Sequence, residues 1–166
     1  MDRIRTAWQQ IEFARTFTLS RLVDIAPADW LRMPTEGVTH LAWQLGHLAM
    51  AEYRLTLERW RGVQPSDANL ISPAFLQLFG RGSVPVPEAR VYPTIADIRA
   101  VFDAVHEQAR REVAEYADAD WDTPALTPHP LFTHKGGALL WCSHHETLHV
   151  GQIGLLRRLL GRAPLW

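Results

Sequence analysis

Apolar side chains along this chain recur every three to four residues, and no segment alternates convincingly with period two. Four helices are predicted. The first covers about 3–25 on Ile4, Trp8, Ile11, Phe17 and Leu22, and Pro27 and Pro34 close it off. The second covers about 39–60, with Leu41, Leu45, Leu48 and Leu55 on one side and Gly62 and Pro65 after it. The third starts after Pro93, where Thr94 precedes Asp97 in a capping-box-like arrangement, and carries the stripe Ile98, Phe102, Val105, Ala109 and Tyr116. The fourth covers about 137–160, with Gly161 where a C-terminal cap belongs and Pro164 beyond it. Between the second and third lies a long connection, 61–93, rich in Pro and Gly, with a short helix over 73–79. Long connections in compact domains are often functional lids or crossovers. The expectation is an all-α chain, one domain over 1–166, folded as a four-helix bundle with a long crossover between helices two and three.

The two halves resemble each other. Ala28-Asp29-Trp30 after the first helix matches Ala119-Asp120-Trp121 after the third, and each precedes a proline-containing loop and another helix. Aligning the second and fourth helices sets Trp43 against Trp141 and His47 against His145, so each half stacks a Trp one turn before a His. If the repeat is genuine, His47 and His145 are equivalent and face a shared axis.

Composition narrows the function classes. A hydrophobic fraction of 47% with seven tryptophans, at 8, 30, 43, 60, 121, 141 and 166, supplies a packed interior. A formal net charge of −1, with no basic stripe, gives nucleic acid no electrostatic footprint. The single cysteine, Cys142, excludes an internal disulfide and cysteine-based zinc frameworks. The opening segment lacks the apolar core of a secretory signal, and no apolar stretch approaches the ~18 residues that span a bilayer. A cytoplasmic protein without membrane contact is expected.

His145 and His149, four apart on the fourth helix, share one face at ~100° per residue, the geometry for two imidazoles on one metal ion. Neutral imidazoles suit Zn, Ni, Cu or Fe(II). A third ligand is best supplied by His47, mid-helix on the side that also carries His40, Trp43, Gln44, Ala51 and Arg54. His144 lies ~100° from His145 and is expected at the surface or behind the ligands. His40, His106, His129 and His134 read as hydrogen-bonded structural residues. Trp43 and Trp141 could wall the pocket, with Gln152 and His144 as further pocket candidates. Cys142 is either a fourth ligand or, more in keeping with a free cysteine, a small buried side chain. Gly151 inside a helix suggests a close helix approach or a ligand, because glycine there costs about 1 kcal/mol relative to alanine. The string His145-Glu146-Thr147-Leu148-His149 has the H-E-x-x-H form of zinc peptidases. The 17 residues after it hold no His, Asp or Glu for a further ligand, so a peptidase is not favoured, and Glu146 is read as a surface or supporting carboxylate.

The segments Trp43-Gln44-Leu45-Gly46-His47-Leu48 and His145-Glu146-Thr147-Leu148-His149-Val150-Gly151-Gln152-Ile153 resemble those of the DinB/YfiT-like superfamily. The likeness extends to helix order, the long crossover, the Asp-Trp turns and the terminal Arg157-to-Gly161 segment. The resemblance implies a four-helix bundle that binds Zn, Ni or a similar ion through His47, His145 and His149, and often forms homodimers. It also implies small-molecule substrates, since characterised relatives are transferases and isomerases using thiols such as bacillithiol or mycothiol, and related domains occur in ergothioneine-pathway enzymes. The chain departs from the common form in Val150, where a basic residue is frequent, and in His144 before the motif.

Three His ligands leave a coordination position open. The preferred expectation is transfer of a low-molecular-weight thiol to an electrophile. The alternatives are hydrolysis by activated water, or a non-enzymatic metal-binding stress-response module.

Overall fold

Asp2 starts the first helix by accepting the backbone N–H of Arg5 at 2.9 Å, satisfying one of the donors a helix start leaves free. In the computed structural model, which describes residues 2–163, this helix is α1, Arg3–Ser20. Pro164 and Trp166 lie outside the described residues. The second long helix is α2, Leu41–Glu52, which runs on through a π-helical segment, Tyr53–Glu58, into a last turn, Arg59–Arg61. A short helix α3, Pro73–Leu78, sits in the crossover, followed by α4, Ile95–Val113. Two strands, β1, Pro124–His129, and β2, Phe132–His134, lead into α5, Lys135–Leu159. α1 packs chiefly along α5 and α2 along α4, while α2 also meets α5. The all-α reading and the long crossover hold. α1 ends five residues earlier than expected, and Leu22 is buried in the turn beyond it. Among the described residues, no helix is long and apolar enough to cross a membrane.

The small antiparallel hairpin corrects the expectation of no strand. Its inward positions are Ala125, Thr127 and His129 while Leu126 is exposed, so its alternation runs opposite to hydrophobicity and is invisible to a hydrophobic scan. Its register shifts between its two ends.

The repeat in the sequence has a structural basis. In each half a short 3-10 turn carries the Asp-Trp pair, and the Trp carbonyl accepts the second N–H of the next helix. Trp30 O takes Ala42 N–H, and Trp121 O takes Gly136 N–H, both at 2.9 Å. A histidine caps each of these helices. His40 Nδ1 accepts Trp43 N–H at 3.1 Å, and His134 Nδ1 accepts Gly137 N–H at 2.9 Å. α5 starts one turn earlier relative to His145, which sits eleven residues after its cap, whereas His47 sits seven after its own. The hydrogen-bonded reading of His40 and His134 is thereby explained.

Helical phase also buries charge. Arg15, Glu52 and Glu146 fall where the core stripes of α1, α2 and α5 call for apolar residues, and each is almost wholly buried. Arg15 bonds Asp103 at 2.6 Å and the Phe102 carbonyl at 3.1 Å, and stands 3.7 Å from Glu52. His106 completes the layer from α4, bonding Glu52 at 2.7 Å and stacking on Trp8. A buried carboxylate without such cations would cost several kcal/mol, so this layer fixes which helix faces which. At the far end of α5, Arg157 bonds Asp24 and the Arg21 carbonyl, tying the helix terminus to the turn after α1.

The crossover docks on α2 through Phe79, which is fully buried. A Cβ on Gly46 would stand 2.4 Å from the Phe79 ring, so only glycine lets this ring lie against the helix. Gly151 is the opposite case. It is exposed and a Cβ there would meet nothing within 4 Å, so a close helix approach does not explain it, contrary to that expectation. Gly151→Ala should therefore stabilise the protein by about 0.5–1 kcal/mol through helix propensity alone. Denaturant unfolding measures this, and a loss of stability would show that the glycine serves a contact absent from this fold.

Candidate metal centre

His47, on α2, and His145 and His149, one turn apart on α5, converge at the α2–α5 contact. Their ligand atoms all lie within 4.8 Å of one another, and the group could hold a divalent metal ion. His47 Nε2 is 3.3 Å from His145 Nε2. Two nitrogens sharing a tetrahedral ion at ~2.0–2.1 Å would be about 3.3 Å apart, so this pair already has the separation of one tetrahedral edge.

Two of the rings are oriented from behind. His47 Nδ1–H donates to the Phe79 carbonyl at 2.8 Å, so the crossover docked on Gly46 also sets the imidazole. His149 Nδ1–H donates to Gln44 Oε1, and Gln44 Nε2–H in turn donates to Gln152 Oε1 at 2.9 Å. Each of these Nδ1 protons leaves its Nε2 lone pair free, the tautomer a metal requires. Trp43 stacks on His47 at 4.6 Å and 14°, and its indole N–H donates to Ser83 at 3.0 Å.

The electrostatics agree with this. Burial pushes all three histidines below their ordinary value. His145 falls to about 4, helped by His47 and His129, and His149 to about 3, helped by its two neighbours. His47 is lowered by burial and then by Arg54. At neutral pH the site therefore presents three uncharged imidazoles. His47 and His145 line a cavity of about 460 Å³ walled by Trp43 and Trp141, and His149 is buried behind them.

Other expected site residues fall elsewhere. Gln152 does not line the cavity and acts through Gln44. His144 is exposed, bonds the Leu140 carbonyl at 2.6 Å and lines neighbouring surface grooves instead of the cavity. Cys142 is buried outside the histidine group, and burial beside Glu52 and Glu146 pushes its thiol well up, so it is an inert core side chain. Glu146 is no surface carboxylate. It is buried on the side of α5 that faces α1, with Oε1 2.7 Å from the Thr18 hydroxyl. The H-E-x-x-H string thus points its carboxylate away from the cavity.

Sequence reasoning missed four contributors. The Phe79 carbonyl has no sequence signal. Gln44 lies three residues before His47 and was visible only as a neighbour. His129, read as structural, sits at the cavity rim, and Arg59 lines the cavity because of the π-helical segment.

A family model for the DinB superfamily matches residues 10–153, a span that holds all three histidines. No curated protein matches the chain.

Glu146 offers a direct check on this geometry. Burial and the nearby Glu52 push its carboxyl from 4.5 up to about 7. An unfolded chain loses that proton near pH 4.5 while the folded one keeps it, so Glu146 erodes stability as pH rises from 4.5 to 7. Glu146→Gln should remove the erosion, its stability advantage over the native protein growing across that window and levelling above it. Metal content should be unchanged. Loss of metal in this variant would mean that Glu146 supports the ligands after all.

Proposed function

The chain belongs to the DinB superfamily, and on that premise we propose that it is a metal-dependent enzyme that transfers a low-molecular-weight thiol to an electrophile. The observation that carries this reading is the convergence of three neutral imidazoles, two with their Nε2 freed by Nδ1 hydrogen bonds, beside an open cavity that His47 and His145 line. His47, His145 and His149 are the proposed ligands of zinc or nickel. A divalent ion bound there would lower the pKa of a thiol in its open position and hold the thiolate for attack.

The chain's own residues fit that chemistry better than hydrolysis. Among the described residues no Asp or Glu lines the cavity, so a carboxylate general base for water is missing, and Glu146 faces α1. Trp43 and Trp141 supply apolar wall to the cavity. Trp43 also fixes the His47 ring by stacking, a contact worth about 0.5–1.5 kcal/mol. The thiol itself is supported by the family resemblance.

A non-enzymatic reading makes the ion purely structural. The hydrophobic core and the Arg15–Glu52–His106 layer lie outside the histidine group, so the bundle has its own means of folding.

Three results are expected together. The purified protein carries about one divalent ion per chain, and His149→Ala carries none. The metal-loaded protein accelerates conjugation of at least one of cysteine, glutathione, bacillithiol or mycothiol to monochlorobimane, while chelated protein does not. The chelated protein keeps its helical circular dichroism. Full metal retention in His149→Ala would sink the site assignment. Background rates with every thiol would sink the transferase reading, and unfolding on chelation would favour the structural ion.

A further inference from the structure

The cavity above the histidines carries three arginines, Arg54, Arg59 and Arg81, and among the described residues no acid in its lining. We propose that these arginines hold an oxyanion of the substrate, a carboxylate or a phosphate, so that the electrophile or the thiol is an anionic small molecule. This rests on the small-molecule chemistry proposed above and names the substrate class it selects.

The placement of Arg59 is the first support. In an α-helix residues five apart diverge by about 140°, which would turn Arg59 well away from Arg54. The π-helical segment Tyr53–Glu58 changes that. Arg59 N–H donates to the Arg54 carbonyl, the i→i+5 bond of a π turn, and Arg59 Nη1 reaches the same carbonyl at 3.2 Å. Both side chains then line one cavity. π segments are rare and mostly found at functional sites, and here the segment's consequence is to gather two guanidiniums at the cavity.

Unused hydrogen-bonding capacity is the second. The Nε atoms of Arg54 and Arg59 are buried with no hydrogen-bond partner. Glu58 stands 3.8 Å from Arg54 Nε, beyond hydrogen-bonding distance, and is shared with the Thr127 hydroxyl at 3.4 Å. Buried guanidinium N–H groups left unpaired are costly, and a planar oxyanion satisfies the guanidinium fork in pairs.

Charge balance is the third. Among the described residues the cavity lining holds three guanidiniums and no acid, with Glu58 beside Arg54 outside it, on a chain whose net charge is −1. Burial lowers His129, and the nearby Arg59 and Arg81 lower it further. Arg81 and Gly82 are exposed at the mouth, while the half-buried His47 and His145 lie deeper. A ligand anchored at the arginines would therefore direct its other end at the metal ligands.

Binding can be read without turnover. Succinate, inorganic phosphate and the neutral succinamide are titrated at constant ionic strength into the metal-loaded protein, followed by calorimetry and tryptophan fluorescence. Arg59→Gln and Arg81→Gln are compared with the native protein, and Arg158→Gln, on the exposed last turn of α5, is the surface control. The expected result is binding of succinate or phosphate, weakened about tenfold or more by Arg59→Gln and clearly by Arg81→Gln, unchanged by Arg158→Gln, with succinamide at least about tenfold weaker. The tighter of the two anions identifies the carboxylate or the phosphate. Equal binding of succinamide, absence of anion binding, or native affinity in both arginine variants overturns the proposal. Arg81 is exposed, so its variant keeps the test decisive if Arg59→Gln fails to fold. Metal content measured in parallel separates the two readings. A metal-free protein that binds anions through these arginines sinks the metal enzyme and keeps the anion cradle. A metal-loaded protein indifferent to them does the reverse.

Discussion

The hydrogen bond from His149 to Gln44 joins the two helices that build the site, and the rest of the local structure is arranged around keeping it possible. It crosses from α5 to α2, fixes one imidazole tautomer and is itself backed by Gln152. His47 has the matching constraint from the crossover, through the Phe79 carbonyl. Both depend on α2 and α5 lying in one exact register, since a shift of one residue turns a helical side chain by ~100°. The three Nε2 atoms meet only because that register is held.

What holds it lies beside the site. The charged layer of Arg15, Glu52 and His106 resists sliding, because a slip would leave the Glu52 carboxylate facing apolar side chains. The capping histidines and the Trp carbonyls then fix where α2 and α5 begin. The two halves use one device twice, and the hairpin between Trp121 and His134 is the part the first half lacks. That hairpin brings His129 to the cavity lining, a residue with no counterpart in the first half.

The helices and the three histidines were readable because both rest on local periodicity. Thr94 capping Asp97, the short helix in the crossover and the i, i+4 pair on α5 each follow from spacing alone. Glu146 was readable and misread. It stands in phase with Leu139, Cys142, Val150 and Ile153, a core stripe, but its charge argued for the surface. Phase carried more information than residue type there, as it did for Arg15 and Glu52. The hairpin and the π segment were not readable. One hides its inward face in Ala, Thr and His, and the other depends on which carbonyl an N–H selects, which no periodicity records. The role of Phe79 is tertiary, and Gly46 is its only trace in the sequence.

His47, His145 and His149 are proposed to bind one ion and leave a position for a small thiol. X-ray absorption at the metal edge of the zinc-loaded protein, before and after addition of thiol, tests it most directly. The expected result is three imidazole nitrogens at ~2.0–2.1 Å with a light fourth ligand, and a sulfur at ~2.3 Å replacing that ligand once thiol is present. A sulfur ligand before any thiol is added would place Cys142 on the ion, and fewer than three imidazoles would contradict the site itself.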